Sequence, residues 1–311
     1  MSDPVSLDRP LRLGTRASPL AMAQAHMVAD ALRAAHGWGA EAVEIHSVVA
    51  SGDKVLDRPL ADIGGKALWT KELDRALLEG DIDFAVHSMK DVETIRPDEL
   101  AIAAMLPRAD VRDRLVGAAG LAAVRQGGVI GTSSPRRAAQ VRRARPDLSV
   151  TLFRGNVQTR LAKLEAAEVD ATLLAAAGLD RLGMSDLGAP IACEEMLPAP
   201  AQGAIGVECL RDNDTVRALL GTICHRDTYD CVMAERALLL ALGGSCHSPI
   251  AALALPEGEN LWLRAEILSI DGAECHQDQC RMPRGDETAA SRLAAGLLER
   301  ASADVRKLFL S

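Results

Sequence analysis

The sequence predicts an α/β protein made of two related halves and completed by a smaller α+β domain. Three observations carry this expectation. Gly14-Thr15, Ser18-Pro19 and Gln24 recur as Gly131-Thr132, Ser134-Pro135 and Gln140, with glutamine five residues past proline in both. The chain leaves the first half after Leu100–Met105 and returns through Leu197-Pro198-Ala199-Pro200-Ala201-Gln202-Gly203 and the apolar run Ala204–Cys209. Two such crossings between α/β lobes make a hinged cleft of the solute-binding kind. From Ile223 onward the pattern becomes one helix, three strands and further helices, which suits a small α+β domain. The expected divisions are residues 1–106 with 204–222, residues 107–203, and residues 223–311.

Elements of the first half follow from local signals. Leu11–Gly14 reads as a short strand, and Ser18-Pro19 starts a helix running to about Ala35. Arg16 and Ser18 have two readings: ligand groups at a strand end, or a surface charge beside an ordinary cap. Glu44–Val49 is the next strand. Ser51–Lys66 holds Gly52, Pro59, Gly64 and Gly65 without periodicity, a length of loop that is usually a lid or disordered. Leu68–Leu78 reads as a helix with Trp69, Leu73 and Leu77 on one apolar face. Asp83–His87 is a strand ending in His87-Ser88-Met89-Lys90-Asp91. That cluster is either a proton-transfer group or a strand end with ordinary polar residues; among cations, Asp91 stays ionised.

The second half carries the sharpest signal. After a charged turn, Arg108–Arg114, seven arginines fall between Arg136 and Arg160 with Asp147 the one opposing acid, in a chain of net charge −8. Such a reversal asks for an anionic partner. Gly128–Gly131 reads as a strand, Ser134 as a cap and Pro135 as the first residue of a helix. Free N–H groups, the helix dipole, Arg136 and Arg137 then converge at one helix start, which suits carboxylate or phosphate. Strand Leu148–Phe153 delivers Arg154-Gly155-Asn156, and Arg160 lies on the helix before strand Asp170–Ala176. Arg136, Arg137, Arg154 and Arg160 are read as ligand-binding, and Arg142, Arg143 and Arg145 as a solvated face.

In the last domain, Tyr229–Leu242 is apolar nearly all round and reads as a buried helix ended by Gly243-Gly244. Ser245-Cys246-His247-Ser248-Pro249 is a loop of small residues in which His247 favours the Cys246 thiolate. Cys209, Cys224 and Cys231 lie in or beside apolar segments and read as inert. Ile250–Leu255, Leu261–Ile270 and Gln277–Met282 are strands, and Glu287–Phe309 one or two helices. Cys275, His276 and Cys280 lack metal-site spacing, so a surface strand is expected there and no metal.

Composition excludes several classes. No apolar run approaches the ~18 residues of a membrane span, and Met1–Val5 lacks signal-peptide character. Seven scattered cysteines suit a reducing cytoplasm. The acidic total and 2% aromatic content argue against nucleic-acid binding.

Taken together, these motifs resemble the porphobilinogen deaminase family from end to end. The resemblance is carried by Gly14-Thr15-Arg16-Ala17-Ser18-Pro19-Leu20-Ala21, Gly64-Gly65-Lys66, His87-Ser88-Met89-Lys90-Asp91-Val92, Gly131–Arg137, Arg154-Gly155-Asn156-Val157, Pro200-Ala201-Gln202-Gly203-Ala204 and Gly244-Ser245-Cys246. It implies a transferase of tetrapyrrole (porphyrin, haem) biosynthesis that condenses four porphobilinogen units into hydroxymethylbilane and releases ammonia at each addition. It also implies a dipyrromethane cofactor on a thioether to Cys246, with Asp91 as the catalytic carboxylate. Arg16, Ser18, Lys66, Ser88, Lys90, Ser134, Arg136, Arg137, Arg154, Arg160 and Arg181 match positions that bind cofactor or substrate acid groups. Trp69 falls in the lid, and Gln202 and Gly203 at the hinge. The implied fold is two lobes of periplasmic-binding-protein type II plus a domain with a three-stranded antiparallel sheet, in a monomer. Departures are Pro135, Ala67, Trp69, Asp62, Glu93 and the Gly-Ser-Cys-His-Ser-Pro loop; none removes a catalytic group. The competing reading is a cytoplasmic solute-binding or sensing protein for a carboxylated ligand.

Overall fold

The computed structural model describes residues 8–48, 70–244 and 248–309. The loop at 51–66 with Lys66, Trp69 of the lid, and Cys246 lie outside them. In chain order the described strands and helices are β1 (Leu11–Arg16), α1 (Pro19–His36), β2 (Val43–Val48), α2 (Lys71–Leu78), β3 (Phe84–Ser88), β4 (Leu100–Met105), β5 (Asp113–Val116), β6 (Val129–Gly131), α3 (Pro135–Ala144), β7 (Ser149–Thr151), α4 (Val157–Glu165), β8 (Ala171–Ala175), α5 (Ala176–Arg181), β9 (Ala189–Pro190), β10 (Ile205–Leu210), α6 (Asp214–Gly221), α7 (Arg226–Ala241), β11 (Ile250–Glu257), β12 (Asn260–Leu268), β13 (Cys275–Pro283), α8 (Glu287–Arg300) and α9 (Ala303–Arg306). They form two compact units. One holds residues 8–48, 70–108 and 204–229, the other 109–203 and 230–309.

The first unit is a five-stranded sheet of order β2-β1-β3-β10-β4. β1 runs parallel to β2 and β3, while the return strand β10 is antiparallel to β3 and β4. Helix α1 starts where the sequence places it: Ser18 Oγ accepts from the Ala21 N–H at 3.3 Å and Pro19 follows at N1. It stops at Gly37, whose φ of 67° is left-handed. Gln24, Ala25, Val28, Ala29 and Leu32 are its buried residues, and the four apolar ones share one core with Leu13, Phe84, Val86 and Val207.

The second unit contains a sheet of order β7-β6-β8-β5-β9, with β6 parallel to β7 and β8, and β5 antiparallel to β8 and β9. Strand for strand this repeats the first sheet, so the short Gly-Thr and Ser-Pro echo marks a real structural duplication. Both lobes are thus of the type II solute-binding topology. Ser134 Oγ accepts from the Arg137 N–H at 3.4 Å, the counterpart of Ser18. β5 itself differs from the sequence expectation, which ended a charged turn at Arg114. Asp113 and Arg114 obscure the strand start because Asp113 is buried by ion pairing instead of apolarity.

The same unit holds the antiparallel sheet β11-β12-β13, with a core of its own formed by residues such as Leu238, Leu263, Ile267, Leu293 and Phe309. Helix α7 is buried as its composition predicts, yet carries the enclosed Glu235. That carboxylate accepts from the Ala201 N–H at 2.6 Å and the Ala254 N–H at 2.7 Å. It therefore ties the crossing segment, where Ala201 has a left-handed φ of 61°, to β11.

Candidate active site

In the first unit, the carboxyl ends of β1 and β3 open into a pocket lined by Arg16, Ser18, Gln24, Thr70, His87, Ser88 and Asp91, among others. Chain order alone does not bring Arg16 and Asp91 together; the parallel pairing of β1 with β3 does. A short 3-10 turn, Met89–Asp91, carries Lys90 and Asp91 beyond the end of β3. Gln24 Nε2 donates to Ser88 Oγ at 2.8 Å, which fixes that hydroxyl from α1.

Behind the pocket lies a buried charge network that sequence reading missed. Arg96 grips Glu208 with Nε to Oε1 at 2.9 Å and Nη2 to Oε2 at 2.7 Å, and also reaches Asp74, Glu93 and Thr70. Glu93, one of the family departures, thereby joins the network and accepts from Thr70 Oγ1 at 3.0 Å. Burial alone would raise the Glu208 carboxyl, but His87 and Arg96 outweigh it and hold it at about 2. His87 Nε2 lies 3.4 Å from Glu208 Oε2.

In the second unit the arginines divide into two groups. Arg136 donates to Asp113 Oδ2 at 2.8 Å, Gln140 Oε1 at 2.9 Å and the Leu197 carbonyl at 3.0 Å. Arg137 donates to Asp113 Oδ1 from Nε and Nη2, and to the Leu173 carbonyl. Gln202, expected at the hinge, donates to the same Asp113 at 2.9 Å. Where the sequence reading has both guanidinium groups facing a ligand at the helix start, the structure commits much of each to an internal carboxylate. Asp113 is that missed partner, and the apolar pair Leu115-Val116 just beyond it is the signal that marks a strand there.

Arg160 is different. Its Nε donates to the Gly155 carbonyl at 3.0 Å and Nη2 to Ser133 Oγ at 3.2 Å. Burial, then the like charges of Arg137 and Arg154, push it down to about 10. Arg154 is itself buried, at the end of the segment that follows β7. Arg181 donates to the Gly203 carbonyl at 2.6 Å and is likewise lowered to about 10 by burial. The outer arginines differ from a purely solvated face: Arg143 is exposed, but Arg142 caps the Ile270 carbonyl and Arg145 pairs with Asp147. Cys275 and Cys280 lie on the surface strand β13, and His276 pairs with Glu274. Cys209 and Cys231 are buried and Cys224 is half-buried; burial lifts the Cys209 thiol to about 11.

Buried arginines in one unit and a pocket containing Asp91 in the other, each on a lobe of solute-binding topology, define an α/β protein of two like-folded lobes. The family follows from the comparisons. Residues 11–218 match the family described as porphobilinogen deaminase, dipyromethane cofactor binding domain, and residues 229–301 match the porphobilinogen deaminase C-terminal domain. The chain belongs to the porphobilinogen deaminase family, whose members are transferases. It is 56% identical to the porphobilinogen deaminase of Sphingopyxis alaskensis, over 99% of both chains. It is 51% identical to that of Paracoccus denitrificans, over 98% of this chain and 97% of the relative. Among solved structures, an arginine-specific periplasmic binding protein of Salmonella typhimurium is similar with TM-score 0.40 and 12% identity, covering 71% of this chain and 94% of that one.

The dipyrromethane group that this family model names has a suitable donor set here. Arg137 and Arg154 are buried and Arg160 beside them is half-buried, and among the described residues no carboxylate is a cause of the Arg160 shift. A carboxylate-bearing group would supply the counter-charge.

Proposed function

We propose that the chain is a hydroxymethylbilane synthase, condensing four porphobilinogen molecules with release of ammonia on a dipyrromethane primer joined to Cys246. When bound, that primer supplies the acceptor pyrrole to which substrate units are added. Arg160 is the observation that carries this reading: it is a half-buried arginine lowered first by loss of solvent and then by the like charges of Arg137 and Arg154, an arrangement that suits an acidic ligand. Each porphobilinogen bears an acetate and a propionate, so a growing chain brings carboxylates in step with its length.

The roles divide by unit. Asp91 stabilises the positive charge that develops as the substrate C–N bond breaks, with Arg16, Ser18, Ser88 and Lys90 orienting acid groups and pyrrole around it. Arg154, Arg160 and Arg181 hold carboxylates of primer and chain. A guanidinium has five N–H donors, so Arg136 and Arg137 contribute with those that Asp113 and nearby carbonyls leave, and Ser134 with its helix start. Lys66 acts as a further cation, and Trp69 belongs to the covering segment. The three-domain division at 1–106 with 204–222, 107–203 and 223–311, with Gln202 and Gly203 as hinge, is supported by separate apolar cores in each part. The proposed setting is a cytoplasmic monomer that does not bind nucleic acid. The net charge of −8 and the lack of any disulfide among the described cysteines support it, and no described helix is long and apolar enough to cross a membrane.

Intact-mass measurement of the purified protein tests the reading. The wild type is expected to carry the added mass of one dipyrromethane, and Cys246→Ser to lack it. A folded, unmodified wild type that makes no hydroxymethylbilane even when supplied with porphobilinogen would refute it and favour a sensor for a carboxylated ligand.

A further inference from the structure

The assigned roles leave one half of the chemistry without a residue. When a new carbon–carbon bond forms, the acceptor pyrrole's α-carbon still bears a hydrogen, and the ring regains aromaticity only when that proton departs. A base within reach of the reacting carbons is needed, separate from the carboxylate that steadies the cation.

His87 lines the same pocket as Asp91 and is 7% exposed. On β3 it shares a face with Ala85, and Ala85 pairs with Glu208 on β10 while His87 pairs with Gly206. Two-residue alternation therefore sets the imidazole diagonally across from the Glu208 carboxylate, with Nε2 sealed from solvent and 3.4 Å from Oε2. Arg96 grips Glu208 in a bidentate pair, so Glu208 keeps a counter-ion whether His87 is neutral or charged. The contact is an ion-pair approach and not a formed hydrogen bond, and it favours one orientation of the ring while leaving the second ring nitrogen for another partner. Arg96 is in turn held by Asp74 and Glu93, which makes the support rigid.

We propose that His87 is a further catalytic residue, the base that removes the α-carbon proton after each condensation, with Glu208 as its positioning residue. The substrate methylene carbon bonds to the acceptor α-carbon, the α C–H bond breaks, its electron pair restores the aromatic ring, and the proton passes to the ring nitrogen of His87 that does not face Glu208. The departing ammonia or solvent then takes that proton. This inference rests on the reading of the site given above.

The test uses full-length His87→Gln, with folding checked by circular dichroism and primer loading by intact mass. Turnover is measured with ordinary porphobilinogen and with porphobilinogen deuterated at its free α-carbon. The variant is expected to fold and load, to lose about 10²-fold or more in kcat, and to show a larger primary isotope effect than wild type because proton removal has become limiting. A purely structural histidine would not move the isotope effect. Should His87→Gln not fold, Glu208→Gln is measured in the same way, and a smaller rate loss with a raised isotope effect is expected. An unchanged isotope effect in whichever folded variant is measured overturns the proposal. Asp91→Asn separates the two claims: a crippled Asp91 variant beside an unaffected His87 variant rejects this inference alone, whereas wild-type rates in Asp91→Asn reject the underlying site.

Discussion

Arg137 donates to Asp113 through both Nε and Nη2, at 3.2 and 2.7 Å, and the carboxylate between them and Arg136 is sealed from solvent. Burial by itself would raise the Asp113 carboxyl, but the two guanidinium groups hold it well below the carboxylate range. One acid thus anchors two arginines of the cluster and, through Gln202, the crossing segment between lobes. Asp113→Asn leaves two buried cations with an uncharged partner. A loss of about 3–5 kcal/mol is expected, as for breaking a buried pair from one side, read as a lower urea midpoint at constant slope. A midpoint equal to wild type would mean that the cluster is stabilised elsewhere.

That relationship also shows why the fold was more legible than the site. The caps at Ser18 and Ser134, the helix starts at Pro19 and Pro135 and the strand beginning at Leu11 depend on neighbours within a few residues, so sequence reveals them. Arg96 and Glu208 are joined across 112 positions, and Asp113 and Arg137 across 24. No periodicity points to such partners, and an isolated charge reads as surface. The arginine cluster was visible as a reversal of charge, while its division into paired and ligand-facing members needed the packed structure.

Glu208 makes acid stability a test of the hidden network. Its carboxyl falls from an ordinary 4.5 to about 2, so it is deprotonated at lower pH in the folded chain than in the unfolded one. The resulting stabilisation is complete above about 4.5 and is lost as pH falls towards about 2, a contribution of roughly 3 kcal/mol if the group acts alone. Glu208→Gln should flatten the fall in urea midpoint across that window. A curve parallel to wild type would remove Glu208 from the acid response.

Asp91→Asn should leave fold and primer mass intact while lowering turnover by about 10²-fold or more, because it removes the anion where cationic charge develops. Arg154→Leu is expected instead to reduce primer loading or to stall chain extension, visible as altered masses of enzyme-bound species. Together the two variants separate charge stabilisation at the reacting centre from carboxylate binding, and normal tetrapyrrole output from either would count against its assigned role.

Gly203 offers a conformational test of the proposed hinge. Its φ is 85°, and a Cβ there would lie 2.7 Å from the Ala109 carbonyl oxygen. Gly203→Ala therefore meets both a left-handed backbone and a rigid obstacle, with an expected cost of about 1–3 kcal/mol. Thermal unfolding would register this, and an unchanged melting temperature would show that the crossing readily takes another conformation.

Arg160 yields an unusual sign. In the folded chain its guanidinium is pushed down to about 10 from 12.5, so at neutral pH the charged form is less favourable than in the unfolded chain. A base with a depressed folded pKa weakens the fold throughout the range below that value, and the penalty fades only as pH rises through it. Removing the charge should then stabilise a protein that has no acidic ligand to compensate it. Arg160→Met is accordingly expected to raise the urea midpoint in a Cys246→Ser background, where the primer cannot attach, and to lower primer occupancy when Cys246 is present. Opposite outcomes from one substitution are what a ligand-directed arginine requires. A structural arginine would destabilise the unprimed protein on removal, and that result would take Arg160 out of the carboxylate-binding set.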